Sequence, residues 1–380
     1  MKVERFLPHG DAYILLDLVH EIAEAEVRPL ASEYEAQGRF PREVFRTLGE
    51  VGLLGLPYEE KHGGANLPYE VYLQVVEELA AAWLTVGLGV SVHTLSCFPV
   101  AMHGSDDQKA AFLPAMLSGE KLGAYCLSET EAGSDAAALR TTATRDGESY
   151  VVRGTKAWVT HGGVADFYNV LVRTGEPGPR GISLLLVDPD TPGMAPQRPE
   201  RKMGLAASPT AQIVFDDARV PADRLVGREG QGFKIALAAL DGGRLGVAAC
   251  AVGLAQAALD YAVGYAGERK QFGQPVAKFQ GLAFLLADMA TQVAAARALY
   301  IAAARLRDSG RASSAEAAKA KLFATDMAMR VTTDAVQVLG GAGYVADHPV
   351  ERWMREAKML QIVEGTNQIQ RVVIARTLCG

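Results

Sequence analysis

With 380 residues, 49 % of them hydrophobic, the chain is long enough for two or three domains and a large core. Its net charge of −6 argues against a nucleic-acid partner. Four widely spaced cysteines (Cys97, Cys126, Cys250, Cys379) without a Cys-x-x-Cys read as free thiols in a reducing compartment, and the seven histidines lack metal-ligand spacing, so no metal is expected.

Met1-Lys2-Val3-Glu4-Arg5 leads into no long apolar run, so no targeting segment is read and a cytoplasmic location is expected. Residues 11–56 read as helical. Leu15, Leu16, Leu18, Val19 and Ile22 recur at helical spacing, Pro29 starts or kinks a second segment, and Phe40-Pro41-Arg42 opens another. Gly63-Gly64-Ala65-Asn66 is a loop, and 68–82 is helical again. From Leu79 to Ser105 there is no Asp, Glu, Lys or Arg, a length that could cross a bilayer. Gly87, Gly89, Ser91, His93, Thr94, Ser96 and Pro99 make it only moderately apolar, so a buried helix or helix pair is expected and no membrane span. Asp106-Asp107-Gln108-Lys109 opens a short helix ending near Gly119.

At Gly123 the period changes. Ala124–Ser128, Tyr150–Gly154, Phe167–Val172, Ile182–Val187 and Gln212–Phe215 are short, rich in β-formers and punctuated by Gly and Pro. From Gly232 the helical period returns. Leu237, Leu240, Val247, Val252, Leu259 and Val263 mark one long Ala-rich helix. Leu282, Leu285, Leu286 and Met289 mark a second, Leu322 to Leu339 a third, and Val372, Ile374 and Leu378 a last. The expected class is α+β: an N-terminal all-α domain (1–121), a middle β domain built as a small barrel or sandwich (122–230), and a C-terminal four-helix bundle (231–380).

Six stretches carry chemistry. In Gln361-Ile362-Val363-Glu364-Gly365-Thr366-Asn367-Gln368-Ile369-Gln370-Arg371 a single carboxylate sits in a run with no other charge before Arg371. Apolar surroundings make it hold its proton more readily, which suits a general base, and Gly365 frees the backbone beside it. Taken alone, the same Glu suits the first turn of a last helix. Tyr125-Cys126-Leu127-Ser128-Glu129-Thr130-Glu131-Ala132-Gly133-Ser134-Asp135 is a strand running into a loop of small residues, open to a ring or a pyrophosphate. Trp158-Val159-Thr160 reads equally as a buried strand tryptophan. Arg269-Lys270-Gln271-Phe272-Gly273 with Gln280 offers a phosphate-binding fork or a solvated basic pair, and Gln337-Val338-Leu339-Gly340-Gly341 ends a helix on glycines. Asp241-Gly242-Gly243-Arg244 breaks the long helix, because two glycines there cost roughly 1 kcal/mol each. Its two charges, three apart, form at least an intrahelical ion pair.

In this order and spacing, from about residue 10 to the C-terminus, these stretches resemble the acyl-CoA dehydrogenase family. The resemblance implies that Glu364 removes the α-proton of an acyl-CoA thioester while FAD takes a hydride from the β-carbon, giving a trans-2-enoyl-CoA. It implies polarisation of the thioester carbonyl by the Glu364 N–H and a flavin ribityl hydroxyl. FAD contacts are implied for Tyr125, Leu127, Ser128, Gly133, Ser134, Trp158, Thr160, Arg269, Phe272, Gln280, Gln337, Gly340, Gly341, Thr366 and Gln368. Substrate contacts are implied for Ser134, Asp241, Arg244 and Gly365, with Asp241 and Arg244 near the pantetheine and adenine end of CoA. Gly87, Leu88 and Ser91, aligned through Pro99, would bound the far end of the acyl chain and leave room for one longer than butyryl; equally, two small residues there would let helices pack closely. Some relatives carry the base at the position of Gly243, which holds no acid here. Thr130-Glu131 departs from the family's Pro-Gly and implies a looser flavin loop. The implied partners are an electron-transfer flavoprotein and further copies of this chain in a homotetramer, a dimer of dimers whose FAD sites span two chains. An oxidase or monooxygenase on the same fold, or a non-catalytic flavoprotein, is the alternative reading.

Overall fold

The computed structural model describes residues 3–5 and 7–379, so Met1 and Lys2 of the opening run lie outside the described residues. Six α-helices come first: α1 (Gly10–Ile22), α2 (Ala31–Gln37), α3 (Arg42–Glu50), α4 (Tyr69–Ala82), α5 (Leu84–His103) and α6 (Asp106–Leu117). Pro29 donates no backbone hydrogen bond, and the chain passes it as a π turn (Ala23–Val27) and a 3-10 turn (Arg28–Leu30) before α2. Ser105 and Gln108 close α6 with a reciprocal capping box. The uncharged stretch is broken at Trp83 and gives the end of α4 and all of α5, which is almost wholly buried.

The middle segment is one seven-stranded sheet: β1 (Gly123–Cys126), β2 (Thr142–Asp146), β3 (Ser149–Thr160), β4 (Phe167–Arg173), β5 (Ile182–Val187), β6 (Met194–Pro196) and β7 (Thr210–Pro221). The order is β1-β4-β2-β3-β7-β6, with β5 on the other edge of β4. β1 and β2 run parallel to β4, and the other pairs are antiparallel. Strands β4 and β5 are buried on both faces, one against α5, α6 and the start of the next helix, which explains their unbroken apolar runs. β2 and β6 escape composition because β2 is mostly exposed and polar and β6 is only three residues long. The Asp146-Gly147 pair, with Gly147 at φ 61°, is the hairpin signal that announces β2.

The last segment comprises α7 (Gly232–Glu268), a small hairpin β8 (Lys270–Gln271) and β9 (Gln274–Pro275), α8 (Gln280–Asp308), α9 (Ser314–Leu339), α10 (Val350–Leu360) and α11 (Asn367–Cys379). Helices α7, α8 and α9 pack on one another, α10 packs on α7 and α9, and α11 lies on α9. Helix α10 was not foreseen from sequence. The expected break at Gly242-Gly243 does not occur: α7 runs unbroken for 37 residues, because tight packing against α4, α5 and α9 outweighs the glycine propensity cost. The N- and C-terminal helices share one hydrophobic core rather than forming two. Among the described residues, three helices are long and apolar enough to cross a membrane. The relevant windows of α5 and α7 are 89 % and 78 % buried, but that of α8 only 17 %.

Candidate active site

Between α10 and α11 the chain makes a tight turn in which both Glu364 (φ 55°) and Gly365 (φ 86°) are left-handed. For a residue with a Cβ this costs on the order of 1–3 kcal/mol, and it persists only where neighbours impose it. They do so here. Gln370 Nε2 donates to the Glu364 and Gly365 carbonyls (3.1 and 2.8 Å), and Lys321 Nζ donates to the Gly365 carbonyl (3.0 Å). Asn367 is fixed in turn by Lys321 Nζ (2.8 Å) and by its own Nδ2 donating to Asp326 (2.7 Å). Glu364 thus precedes the last helix and is not in its first turn.

The Glu364 carboxyl points at Gly243. A Cβ added there would lie 2.7 Å from Oε2, so the glycine in α7 makes the space the acid occupies. The residue keeps some solvent exposure, yet Oε2 is buried without a hydrogen-bond partner among the described residues. Burial pushes its pKa up to about 7, with Arg244 and Lys321 restraining the rise. The Tyr69 and Tyr125 hydroxyls also face it; both are raised, first by burial and then partly by this carboxylate. Arg244 pairs with Asp241 (2.7 Å), as its spacing implied. Its side chain is only 7 % exposed, and its charge is felt by Glu364. Lys321, fully buried, has a pKa lowered to about 7 by burial, with Glu364 and Asp326 opposing.

A cavity of about 230 Å³ opens beside Gly243, lined by Tyr58, Tyr69, Thr94, Leu95, Phe98 and Ala239 among others. The expected acyl-pocket residues do not line it. Gly87 faces α4, where an added Cβ would fall 2.6 Å from the Ala80 Cβ. Ser91 packs on Gly246 of α7, and Leu88 belongs to the shared core. Of the two readings of Gly87 and Ser91, close helix packing is the one the geometry carries. The fully buried Tyr72 stands beside Thr94 and Ser91 and takes up space those small residues leave. The cavity wall comes instead from Thr94, Leu95, Phe98 and Met102, about one to three turns beyond Ser91 along α5.

The loop after β1 is held by a buried ion pair. Lys156 Nζ donates to Glu129 (2.8 Å) and to the Leu127 carbonyl (3.1 Å), and Glu129 accepts from the Arg140 and Thr141 amides. Sequence reading passed over both residues. Glu129 and Ala132 close a turn with two backbone hydrogen bonds, so Thr130-Glu131 forms an exposed tip on an anchored loop rather than a loosened one. Trp158 is not a buried strand tryptophan. The register of β3 against β7 shifts between Lys156 and Val159, Trp158 has φ 56°, and its side chain turns outward, leaving the residue 53 % exposed. Ser128 and Thr160 are half-buried nearby, and Gly133 and Ser134 are exposed, with Gly133 open to the Trp158 ring. Tyr125 Oη is buried without a partner among the described residues. An orphaned buried hydroxyl, an outward-facing indole and a glycine beside it fit a planar ring system with polar edges. Arg269, Phe272 and Gln280 lie at the α7–α8 junction, and Gln337, Gly340 and Gly341 at the end of α9. All six are exposed, Phe272 to 94 %. Thr366, half-buried, follows Glu364 on the turn into α11, and Gln368, exposed, is in the first turn of that helix.

Models of the acyl-CoA dehydrogenase N-terminal, middle and C-terminal domains match residues 11–120, 124–218 and 230–379. The chain is 43 % identical to a short-chain-specific acyl-CoA dehydrogenase of Clostridium acetobutylicum, over 95 % of this chain and 96 % of that one. It superposes on butyryl-CoA dehydrogenase of Megasphaera elsdenii with TM-score 0.96 and 41 % identity, covering 99 % and 100 % of the two chains. A chain solved in work on the electron transferring flavoprotein of Acidaminococcus fermentans gives TM-score 0.97 and 42 % identity, covering 99 % and 100 %. The chain belongs to the acyl-CoA dehydrogenase family. It is an oxidoreductase acting on CH–CH bonds of acyl-CoA thioesters.

Proposed function

We propose that this chain dehydrogenates short-chain acyl-CoA with Glu364 as the α-proton base. The observation that carries the reading is the Glu364 carboxyl: buried, unpartnered at Oε2, seated against Gly243 and held near neutrality by opposed effects of burial and two cations. A base with that pKa is deprotonated in useful measure at physiological pH yet still accepts a proton readily. Oε2 takes the α-proton. The Glu364 N–H has no acceptor among the described residues and is free to donate to the thioester carbonyl, where negative charge develops. Thr94, Leu95 and Phe98 keep water from the acyl chain.

FAD is the proposed cofactor, held by Tyr125, Leu127, Ser128, Gly133, Ser134, Trp158 and Thr160 of this chain, with Thr366 and Gln368 alongside. When bound, it supplies the hydride acceptor for the β-hydrogen. The exposed Arg269, Phe272, Gln280, Gln337, Gly340 and Gly341 are proposed to reach the cofactor of a neighbouring copy. The apolar α8, little of it buried within one chain, supports assembly into a homotetramer. An electron-transfer flavoprotein is the proposed electron acceptor, supported by the neighbour from work on such a protein.

The short chain is favoured by the small cavity, below the ~300–1,000 Å³ of drug-sized pockets, and by the names of two relatives. Anaerobic bleaching of the bound flavin by butyryl- to dodecanoyl-CoA tests it. Fast bleaching by the shortest member with decline along the series is expected. A colourless protein that added FAD cannot reconstitute, or a flavin that no acyl-CoA bleaches, would overturn it.

A further inference from the structure

The mechanism above leaves one chemically costly feature unused. Lys321 sits in the first third of α9, fully buried, and its hydrogen bonds go to no carboxylate among the described residues. A buried ammonium without a carboxylate partner is expensive, and such groups persist where they do something. Its two hydrogen bonds go to the turn that carries the base: 3.0 Å to the Gly365 carbonyl and 2.8 Å to Asn367 Oδ1. The Gly365 carbonyl it holds is the next peptide after the left-handed Glu364. Gln370 holds the same carbonyl from the other side, so a neutral donor already serves that geometry. What Gln370 lacks is charge.

The geometry points to Lys321 as a positioning residue for proton abstraction: it pins the left-handed Glu364–Gly365 turn from α9, and in its protonated form it adds to Arg244 a second positive charge that favours the ionised carboxylate. This rests on the reading of Glu364 as base. The charged and titratable groups that face Glu364 are Arg244 from α7, Lys321 from α9, Tyr69 from α4 and Tyr125 from β1. Arg244 is already neutralised in part by Asp241, which leaves Lys321 as the cation without a carboxylate of its own. Facing Lys321 are Glu364, Asp326 and Arg244.

Two variants separate charge from anchoring. Lys321→Gln keeps a donor near Gly365 and removes the charge; Lys321→Met removes both. The first readout is the infrared band of the protonated carboxyl that Glu364→Gln abolishes, followed against pH in FAD-loaded, substrate-free protein. Its midpoint should lie near 7 in the unmodified protein and rise by about 1 unit or more in both variants, the usual effect of losing a nearby opposite charge. The second readout is the pH profile of flavin bleaching. The Gln variant should recover to within a few-fold of the parent rate above its new midpoint, whereas the Met variant should stay down ~10-fold or more because the turn is looser. An unmoved carboxyl midpoint in folded, FAD-loaded Lys321→Gln would overturn the assignment, even if Lys321→Met fails to fold. A carboxyl shift in a protein that no acyl-CoA bleaches would leave the Lys321–Glu364 coupling standing and remove the catalytic reading instead.

Discussion

Replacing Gly243 with alanine tests whether the space in α7 is shaped for the acid that faces it. The new methyl would sit 2.7 Å from Glu364 Oε2 and 3.0 Å from its carboxyl carbon, where ordinary contact begins at 3.4 Å, so the carboxyl must retreat by about 0.7 Å (3.4 − 2.7). It is the far end of a flexible side chain, so the fold absorbs the move. The helix should even gain up to ~1 kcal/mol from losing a mid-helix glycine. Catalysis has no such freedom: a displacement near 1 Å at a reacting group can cost ~10²-fold, or roughly 2.7 kcal/mol of barrier. The assay is anaerobic stopped-flow bleaching at saturating butyryl-CoA beside a thermal melt, with Gly264→Ala as control, since an added Cβ there meets nothing within 4 Å on the same helix. The expected result is a Gly243→Ala protein of unchanged or raised Tm that reduces flavin ~10²-fold more slowly, with the control unaffected in rate. A parent-like rate would refute the claim that Gly243 sets the position of the base. A fall in Tm would show that the glycine serves helix packing.

Glu364→Gln should bind acyl-CoA but reduce flavin ~10²–10⁴-fold more slowly; in the parent protein the rate should climb through pH about 7 as the carboxyl ionises. Near-parental reduction in the Gln variant would place the base elsewhere. His93 and His161 clamp the Gly123 amide and carbonyl from α5 and the turn after β3, and burial lowers both to about 4. Because the folded pKa lies below the unfolded one, their contribution is complete above pH 6.5 and is lost as pH falls, by about 3 kcal/mol each at pH 4. Urea midpoints from pH 7 to pH 4 measure this, and His161→Phe should flatten the slope. Lys156→Met leaves Glu129 as a buried uncompensated charge and should cost ~3–5 kcal/mol together with FAD retention, read by denaturation and flavin release. Gly87→Leu would drive a side chain into the Ala80 backbone of α4. Its kcat/KM should therefore fall equally for butyryl- and octanoyl-CoA, and a selective loss for the longer chain would return Gly87 to the pocket.

What the sequence determined by itself was whatever local chemistry encodes. Helical and strand periods, the Asp106 and Pro41 helix starts and the glycine-punctuated turns placed α, then β, then α in order, and the stretch around Glu364, through its resemblance to the family's motif, offered the candidate base. It also paired Asp241 with Arg244, because three residues on a helix is a contact distance. It misjudged what depends on distant surfaces. An α5 that is apolar all round carries no mark of which side meets the cavity, so Gly87 and Ser91 read equally as pocket wall and as helix packing, and only the structure shows that α4 and α7 cover them. Gly242-Gly243 read as a break until the Glu364 carboxyl, more than a hundred residues on, was seen to need the space. Lys321, Glu129 and Lys156 are unremarkable charges in a one-dimensional chain. Burial gives them meaning, and burial is decided only when α9, the turn before α11 and the strands β1 and β3 come together. The electrostatics of the base belong to the tertiary structure, because desolvation and buried charge are properties of an assembled interior.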